Sequence, residues 1–471
     1  MIRFGTDGWR ATIADEFTFD NVRVVAQATA DQFSTITDQD AQKERTVFIG
    51  YDVRFLSDRF ARAVAEVFAG NGFGVLLMDG PCPTPYVSYQ VRNRSLVGGI
   101  VITASHNPAS FNGFKVKASF GGSAPPEMTA AIESRIDLSA AVRSADSPIT
   151  LVGPEPEYTG ALKRLVDWDR VADSGLRVVV DSMHGSGGRV LETMLAGTRC
   201  DIRTIRANPD PLFGGISPEP MMPQLEPLCR AVVEAGGDIG LATDGDADRL
   251  GVVSRDGRFM STLEILPLLL LHLHRKRGWR GAVAHTFSQS QLVGRIGRRL
   301  GLEVVETPIG FKNIAALMLE RPILIGGEES GGVGVSAHLP ERDGVAIHLL
   351  LLDLLAASGQ TLEALVRDMW DEFGEFHYDR RDLHVPVDVG ARLMASLVDT
   401  PPSTFARLPV ASVATLDGVK LLLEPDAWIL FRRSGTEPVL RLYAEAPRMT
   451  TVSEILEAGL QFVEQSRAAG V

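Results

Sequence analysis

The chain has 471 residues, with 47 basic against 59 acidic side chains and a net charge of −12. That balance argues against a general binder of nucleic acid or anionic membrane, because phosphate backbones and lipid headgroups recruit basic surfaces. It leaves room for a small anionic ligand, which feels only the charges lining its pocket. With 45% hydrophobic and 23% charged residues the chain is globular rather than disordered, and its length suggests about three domains. The three cysteines, Cys82, Cys200 and Cys229, are scattered and form no metal or disulfide pattern, so a reducing, cytoplasmic setting is expected. Residues 1–20 hold no apolar stretch followed by a cleavage site, and no signal peptide is expected. The strongest apolar runs, Leu263–Leu273 and Val345–Leu355, fall short of the ~20 apolar residues of a membrane span.

In chain order, one grammar recurs: a short β-branched run, a polar or glycine turn, then a stretch with helical periodicity. Thr46–Tyr51 leads to Asp58–Phe68, Leu176–Asp181 to Val190–Leu195, and Ala282–His285 to Leu292–Leu300. Such units predict α/β modules with largely parallel strands, and their spacing favours three modules over one large sheet. Polar or proline-rich breaks at Ser144–Pro156, Ser254–Arg258 and Phe373–Asp382 place the modules at 1–150, 151–258 and 259–372. After residue 372 the pattern changes. His384–Val389, Ser412–Thr415, Val419–Leu423, Trp428–Arg432 and Val439–Ala444 read as short strands, and Val452–Gln465 as an amphipathic helix. The region 373–471 is therefore expected to be a smaller α+β domain.

Five strings carry chemistry. Thr103–Pro108 (TASHNP) follows the apolar run Leu96–Ile102, and strand C-terminal ends are where open α/β sheets place their reactive groups. Ser105 there, beside His106, is a candidate nucleophile; taken alone, the string also reads as a strand-ending turn in which Ser105 and Asn107 satisfy backbone groups. Thr243–Arg249 (TDGDADR) packs Asp244, Asp246 and Asp248 between small residues. Three like charges this close repel unless a counter-ion joins them, and a divalent cation takes hard oxygens at about 2.0–2.6 Å. Few carboxylates on a small loop favour Mg²⁺, and the absence of a closing glutamate excludes an EF-hand. Lys115, in Asn112–Lys117 (NGFKVK), is a point charge for phosphate, a proton carrier or a surface lysine. Gly326–Gly332 (GGEESGG) allows Glu328 and Ser330 to face one pocket and bond vicinal hydroxyls, or forms a plain polar turn. Arg432–Pro438 (RRSGTEP) follows a strand and offers an anion cradle of Arg432, Ser434, Gly435 and Thr436, with a charged turn as the alternative. Arg10 in Gly5–Arg10 (GTDGWR) and Arg54 in Tyr51–Arg54 (YDVR) add basic positions that are unremarkable singly.

In this order and spacing, TASHNP, DGDADR, GEESGG and RRSGTEP resemble the motifs of the alpha-D-phosphohexomutase superfamily across nearly the whole chain. The resemblance implies four domains, three related α/β modules and a smaller α+β one. It implies that Ser105 is phosphorylated in the active enzyme, and that Asp244, Asp246, Asp248 and a phosphoserine oxygen hold Mg²⁺. Arg249 then supports the phosphoserine, with Arg10 and His106 as further catalytic residues, Arg54 binds substrate, and Lys115 transfers a proton. Glu328 and Ser330 read sugar hydroxyls, and Arg432, Ser434, Gly435 and Thr436 bind the distal phosphate. Phosphate passes to a hexose phosphate, giving a 1,6-bisphosphate that turns over before the second transfer. Partners are small hexose phosphates, with neither nucleic acid nor membrane, for a monomer or homodimer. Gly332, where glucose/mannose enzymes of the superfamily often carry histidine, and Thr307–Lys312 (TPIGFK), with Lys312 toward a substrate phosphate, lean toward glucose over mannose or amino sugars. Glucose 1,6-bisphosphate is the expected activator. A hexose bisphosphate synthase and a non-catalytic sugar-phosphate sensor are the rival readings.

Overall fold

The computed structural model describes residues 2–5, 7–39, 44–144, 148–433 and 438–468. The chain divides into two compact units, Met1–Ala282 with Gly310–Glu363, and Val283–Ile309 with Ala364–Val471.

The first unit contains a six-stranded sheet in the order Trp9–Thr12, Phe111–Ala118, Leu96–Ile102, Glu44–Tyr51, Gly74–Met78, Ile149–Val152. Its last four members run parallel, and the other two are antiparallel additions. Every residue of Leu96–Ile102 is buried, as a strand covered on both faces requires. A five-stranded sheet follows, ordered Phe259–Met260, Leu250–Ser254, Ile239–Thr243, Arg177–Asp181, Asp201–Ile205. Two of its pairings are parallel and two, both made by Leu250–Ser254, are antiparallel. Ile323–Gly327 pairs antiparallel with Val333–Gly334. One device thus recurs three times. A buried strand runs out, a short polar loop turns the chain, and an antiparallel strand returns. The loops so made are 103–110, 244–249 and 328–332.

The two apolar runs become core helices. Thr262–Leu271 carries Pro267 inside it. In Gly344–Ser358, residues 344–355 are all buried. A helix apolar all round belongs inside a core or a membrane. Here Asp343 caps its start by accepting the Ala346 N–H at 2.9 Å, and Gly359 ends it at φ 65°. No single helix among the described residues is long and apolar enough to cross a membrane. All three cysteines are free thiols.

The second unit is built on a six-stranded sheet ordered His377–His384, Val439–Ala446, Ala427–Arg433, Val419–Leu423, Leu408–Ala414, Thr404–Phe405. All its pairings are antiparallel. Helices Val387–Asp399 and Met449–Ala468 bury Leu393, Leu397, Val452, Ile455 and Leu456 against one face. The first helix corrects the strand expected at His384–Val389. The alternation there ends at Pro386, and Gly390, Leu393 and Leu397 then recur at helical spacing. Residues 283–309 go with this unit although the sequence assigns them to the third module. Phe287 packs with Trp428, Leu430 and Tyr443, and Lys420 Nζ bonds Glu306 at 3.2 Å. Glu445 accepts from the Gln291 N–H at 3.0 Å and from Trp428 Nε1 at 2.7 Å.

Candidate active site

Three loops of the first unit meet. In the first, Ser105 is buried with φ 53°, a left-handed conformation that a residue with a Cβ adopts only when its surroundings enforce it. The enforcement comes from Asp52 and Arg54. Asp52 accepts the Thr103 hydroxyl at 2.7 Å, and the Thr103 oxygen in turn accepts the Ser105 N–H at 2.9 Å. Arg54 gives Nε to Asp52, Nη1 to the carbonyls of Pro108 and Phe111, and Nη2 to those of Ser105 and Asn107. All five guanidinium N–H groups are therefore spent, one on Asp52 and four on carbonyls of residues 105–111. This corrects the expectation that Arg54 binds substrate: no donor is left for a phosphate, and its work is to hold the Ser105 turn.

The second loop brings the aspartates under that turn. Ser105 Oγ donates to Asp244 Oδ2 at 2.8 Å. Carboxylate oxygens of Asp244, Asp246 and Asp248, all buried, lie within 4.8 Å of one another. Gly245 permits the approach, because a Cβ there would stand 2.5 Å from the Ser105 carbonyl oxygen. Ala247 takes φ 60°, which curls the loop back on itself. Thr84 donates its hydroxyl to Asp246 Oδ2 at 2.6 Å and its N–H to the Asp246 carbonyl at 2.9 Å. Lys115 Nζ reaches Asp246 at 2.8 Å, Asp248 at 3.2 Å and Asp7 at 2.8 Å.

The charges are strongly coupled. Burial and the two neighbouring carboxylates push Asp244 well above the usual carboxylate range. Burial acts the same way on Asp246, yet Lys115 outweighs it and holds that carboxyl low. Burial disfavours the Lys115 ammonium, but Asp246, Asp248 and Asp7 more than compensate and raise its pKa. Asp246 Oδ1 and Asp248 Oδ1 remain buried without a hydrogen-bond partner among the described residues. Orphaned carboxylate oxygens beside a third, raised carboxyl are the donor set that a hard divalent cation satisfies. The three aspartates can hold a metal, with Ser105 Oγ alongside.

The third loop joins the second. The Leu250 N–H donates to the Gly331 carbonyl at 3.0 Å, and Arg249 Nη1 to the Ser330 carbonyl at 3.5 Å. The Arg249 N–H bonds Asp244 Oδ1 at 3.1 Å, while its Nε is buried with no partner among the described residues. Glu328 is buried, its carboxyl raised by that burial against the opposing pull of Arg342. His106 Nδ1 stands 3.4 Å from Ser105 Oγ, and burial with Arg249 and Arg10 nearby keeps the ring neutral. Arg10 Nη1 donates to Asn107 Oδ1 at 2.7 Å.

The structure thus brings together Ser105, His106, Arg10, Lys115, Asp244, Asp246, Asp248, Arg249, Glu328 and Ser330. Lys312 lines a small cavity with Asp7 and Ser123. Arg432 belongs to the second unit, with Nε 3.1 Å from Asp417. Ser434, Gly435 and Thr436 lie outside the described residues. Sequence reading missed Asp7, Thr84 and Arg342. Arg342 Nη2 bonds Asp248 at 2.7 Å and Asp7 at 2.9 Å, and Nη1 lies 3.4 Å from Glu328. Its one available signal was its place just before the helix cap Asp343. Asp7 stood inside GTDGWR, where only the arginine drew notice. Burial opposes the Asp7 carboxylate, but Lys115, Lys117 and Arg342 hold it well below its usual range.

Comparison with known proteins gives the class. Models of the phosphoglucomutase/phosphomannomutase alpha/beta/alpha domains I, II and III match residues 1–142, 156–257 and 263–373, and that of the C-terminal domain matches 394–458. The chain belongs to the phosphoglucomutase/phosphomannomutase family, and is an enzyme of the phosphohexomutase superfamily. It is 29% identical over 466 residues to a phosphoglucomutase/phosphomannomutase of Thermococcus kodakarensis, covering 98% of both chains. It is 31% identical to a probable phosphoglucosamine mutase of Methanopyrus kandleri, covering 89% of this chain and 90% of that one. The crystal structure of a putative phosphomannomutase from Thermus thermophilus superposes with a TM-score of 0.87 at 37% identity, covering 98% of this chain and 99% of the other.

Proposed function

We propose that the protein interconverts glucose 1-phosphate and glucose 6-phosphate through a phosphorylated Ser105 and glucose 1,6-bisphosphate. The observation that carries this is Ser105 Oγ at 2.8 Å from Asp244 Oδ2, on the rim of three converging aspartates. In the first half, the phosphorus–Oγ bond of phosphoserine breaks as the sugar O6 bonds to phosphorus. The O6 proton leaves and Ser105 Oγ takes one up. The bisphosphate then turns over, the bond between O1 and phosphorus breaks as Ser105 Oγ gives up its proton and bonds to phosphorus, O1 takes up a proton, and glucose 6-phosphate departs.

The chain's own groups have defined parts. Asp244, Asp246 and Asp248 would hold Mg²⁺, which when bound offsets the charge of the phosphoryl group and polarises its oxygens. Lys115, its ammonium held charged by Asp246, Asp248 and Asp7, supplies positive charge beside the aspartates rather than the proton expected of it. The neutral His106 ring faces Ser105 Oγ as a proton acceptor. Arg249 Nε, buried without a partner among the described residues, suits a phosphoryl oxygen. Glu328 and Ser330 read the sugar hydroxyls, and Arg432 grips the distal phosphate, with Lys312 as a second cation.

Glucose is favoured by TPIGFK and by Gly332. A Cβ on Gly332 would stand 2.5 Å from Arg342 Cδ and 2.7 Å from Glu328 Oε2, so glycine leaves Arg342 seated beside the sugar-reading glutamate. Mannose is the second reading, favoured by the likeness to the T. thermophilus protein. Kinetics on glucose, mannose and glucosamine phosphates, with Mg²⁺ and catalytic glucose 1,6-bisphosphate, test the proposal. A kcat/KM for glucose 1-phosphate about tenfold above the others is expected, a preference the scale of one hydroxyl contact allows. Equal or faster mannose turnover overturns the sugar assignment. No conversion of any hexose phosphate by phosphorylated protein overturns the mutase reading.

A further inference from the structure

We propose that Asp417 is a positioning residue for Arg432, fixing the plane of the guanidinium that meets the distal phosphate. The proposal rests on the reading of Arg432 given above. Asp417 stands at the turn before strand Val419–Leu423. Its neighbour Gly418 has φ +105°, and a Cβ there would lie 2.4 Å from the Phe431 carbonyl oxygen. Glycine alone lets the turn lie flat on strand Ala427–Arg433, and this sets Asp417 beside Arg432. The carboxylate is then used at both oxygens. Oδ1 accepts Arg432 Nε–H at 3.1 Å, and Oδ2 accepts the Ile309 backbone N–H at 2.8 Å.

The second bond gives the first its meaning. Ile309 follows strand Val304–Thr307, which the same unit fastens to the C-terminal sheet. Lys420 Nζ bonds Glu306 at 3.2 Å and lies 4.2 Å and 4.6 Å from the ring centroids of Phe287 and Trp428. Asp417 is therefore anchored to rigid backbone on one side and holds Arg432 on the other. The two side chains are 25% and 21% exposed. The pair is thus partly screened by solvent. What the geometry provides is orientation. The bond is made at Nε, at the root of the fork, so it fixes the guanidinium plane, on which bidentate phosphate recognition depends.

The experiment is a double-mutant cycle in the full-length enzyme, read as kcat and KM for glucose 1-phosphate alongside a thermal melt. Asp417→Ala is expected to raise KM about tenfold and change kcat less than about threefold, as loss of an orienting charge-assisted bond on a binding group should. Asp417→Asn keeps an acceptor oxygen and is expected to recover part of that loss. In an Arg432→Ala background, Asp417→Ala is expected to add less than about twofold, because its effect runs through the missing arginine. A KM unchanged by Asp417→Ala, while Arg432→Ala raises it, overturns this inference alone. So does the same loss in both backgrounds, or a loss of kcat that tracks a lowered melting temperature in both Asp417 variants. A KM unchanged by Arg432→Ala overturns the inference together with the reading of Arg432.

Discussion

Gly245 offers the sharpest test of the site geometry. Its φ lies outside the left-handed region, so alanine meets no backbone objection there. The objection is spatial. The new methyl would stand 2.5 Å from the Ser105 carbonyl oxygen and 3.0 Å from Pro218 Cγ. Ordinary carbon–oxygen contact begins at 3.4 Å, so the two loops must part by about 0.9 Å. The carbonyl cannot simply retreat, because Arg54 Nη2 holds it at 2.7 Å. Ser105 Oγ must then leave its place on Asp244. A misplacement of about 1 Å at reacting groups costs on the order of 100-fold in rate, and the overlap costs about 1–3 kcal/mol of stability. The assay is kcat for glucose 1-phosphate turnover at saturating substrate and Mg²⁺, with a urea melt for stability. Gly80→Ala is the control, since a Cβ there meets nothing within 4 Å. It should leave kcat unchanged and stability equal or slightly higher. A Gly245→Ala enzyme within about threefold of the parent kcat would refute the claim that close apposition of the two loops sets the rate.

Other consequences follow from single contacts. Ser105→Ala should lower turnover by more than about 1,000-fold while calorimetry still detects glucose 1-phosphate binding; equal turnover ends the phosphoserine mechanism. Chelation of divalent metal should abolish turnover, restored by Mg²⁺; full activity in excess chelator would show the aspartates to be structural. Arg54→Met strips the Ser105 turn of four donors and leaves Asp52 buried without its cation, so urea unfolding should register a loss of about 3–5 kcal/mol; a loss below about 1 kcal/mol would contradict the assigned role. Stability should also fall in mild acid through His348, whose pKa burial pushes down to about 4. The unfolded chain takes up that proton near pH 6.5 and the folded one does not, so stability is present above pH 6.5 and declines as pH falls toward about 4, by about 3 kcal/mol at most. His348→Gln should flatten this slope between pH 7 and 4.5; an unaltered slope would assign it to other groups.

Ser105, His106, the three aspartates with Arg249, and Glu328 with Ser330 were legible in the chain because each set lies on one short loop after one strand. Local spacing alone puts such residues at a common strand end, and the alternation of apolar runs with helical stretches foretold the α/β modules that carry them. The helix Val387–Asp399 was not legible, since a few alternating residues around Pro386 mimic a strand until the buried face of Leu393 and Leu397 is seen. Contacts between distant segments were also beyond reach. Arg342 reaches Asp7 across 335 residues, and Thr84 reaches Asp246 across 162. Arg54 shows the same limit from the other side. The family resemblance suggested that it binds substrate, yet five oxygens of Asp52 and the Ser105 segment claim every donor it has. Residue order sets which groups travel together on a loop; only the packing of remote segments sets which buried charges neutralise one another, because that depends on distance in space and not along the chain.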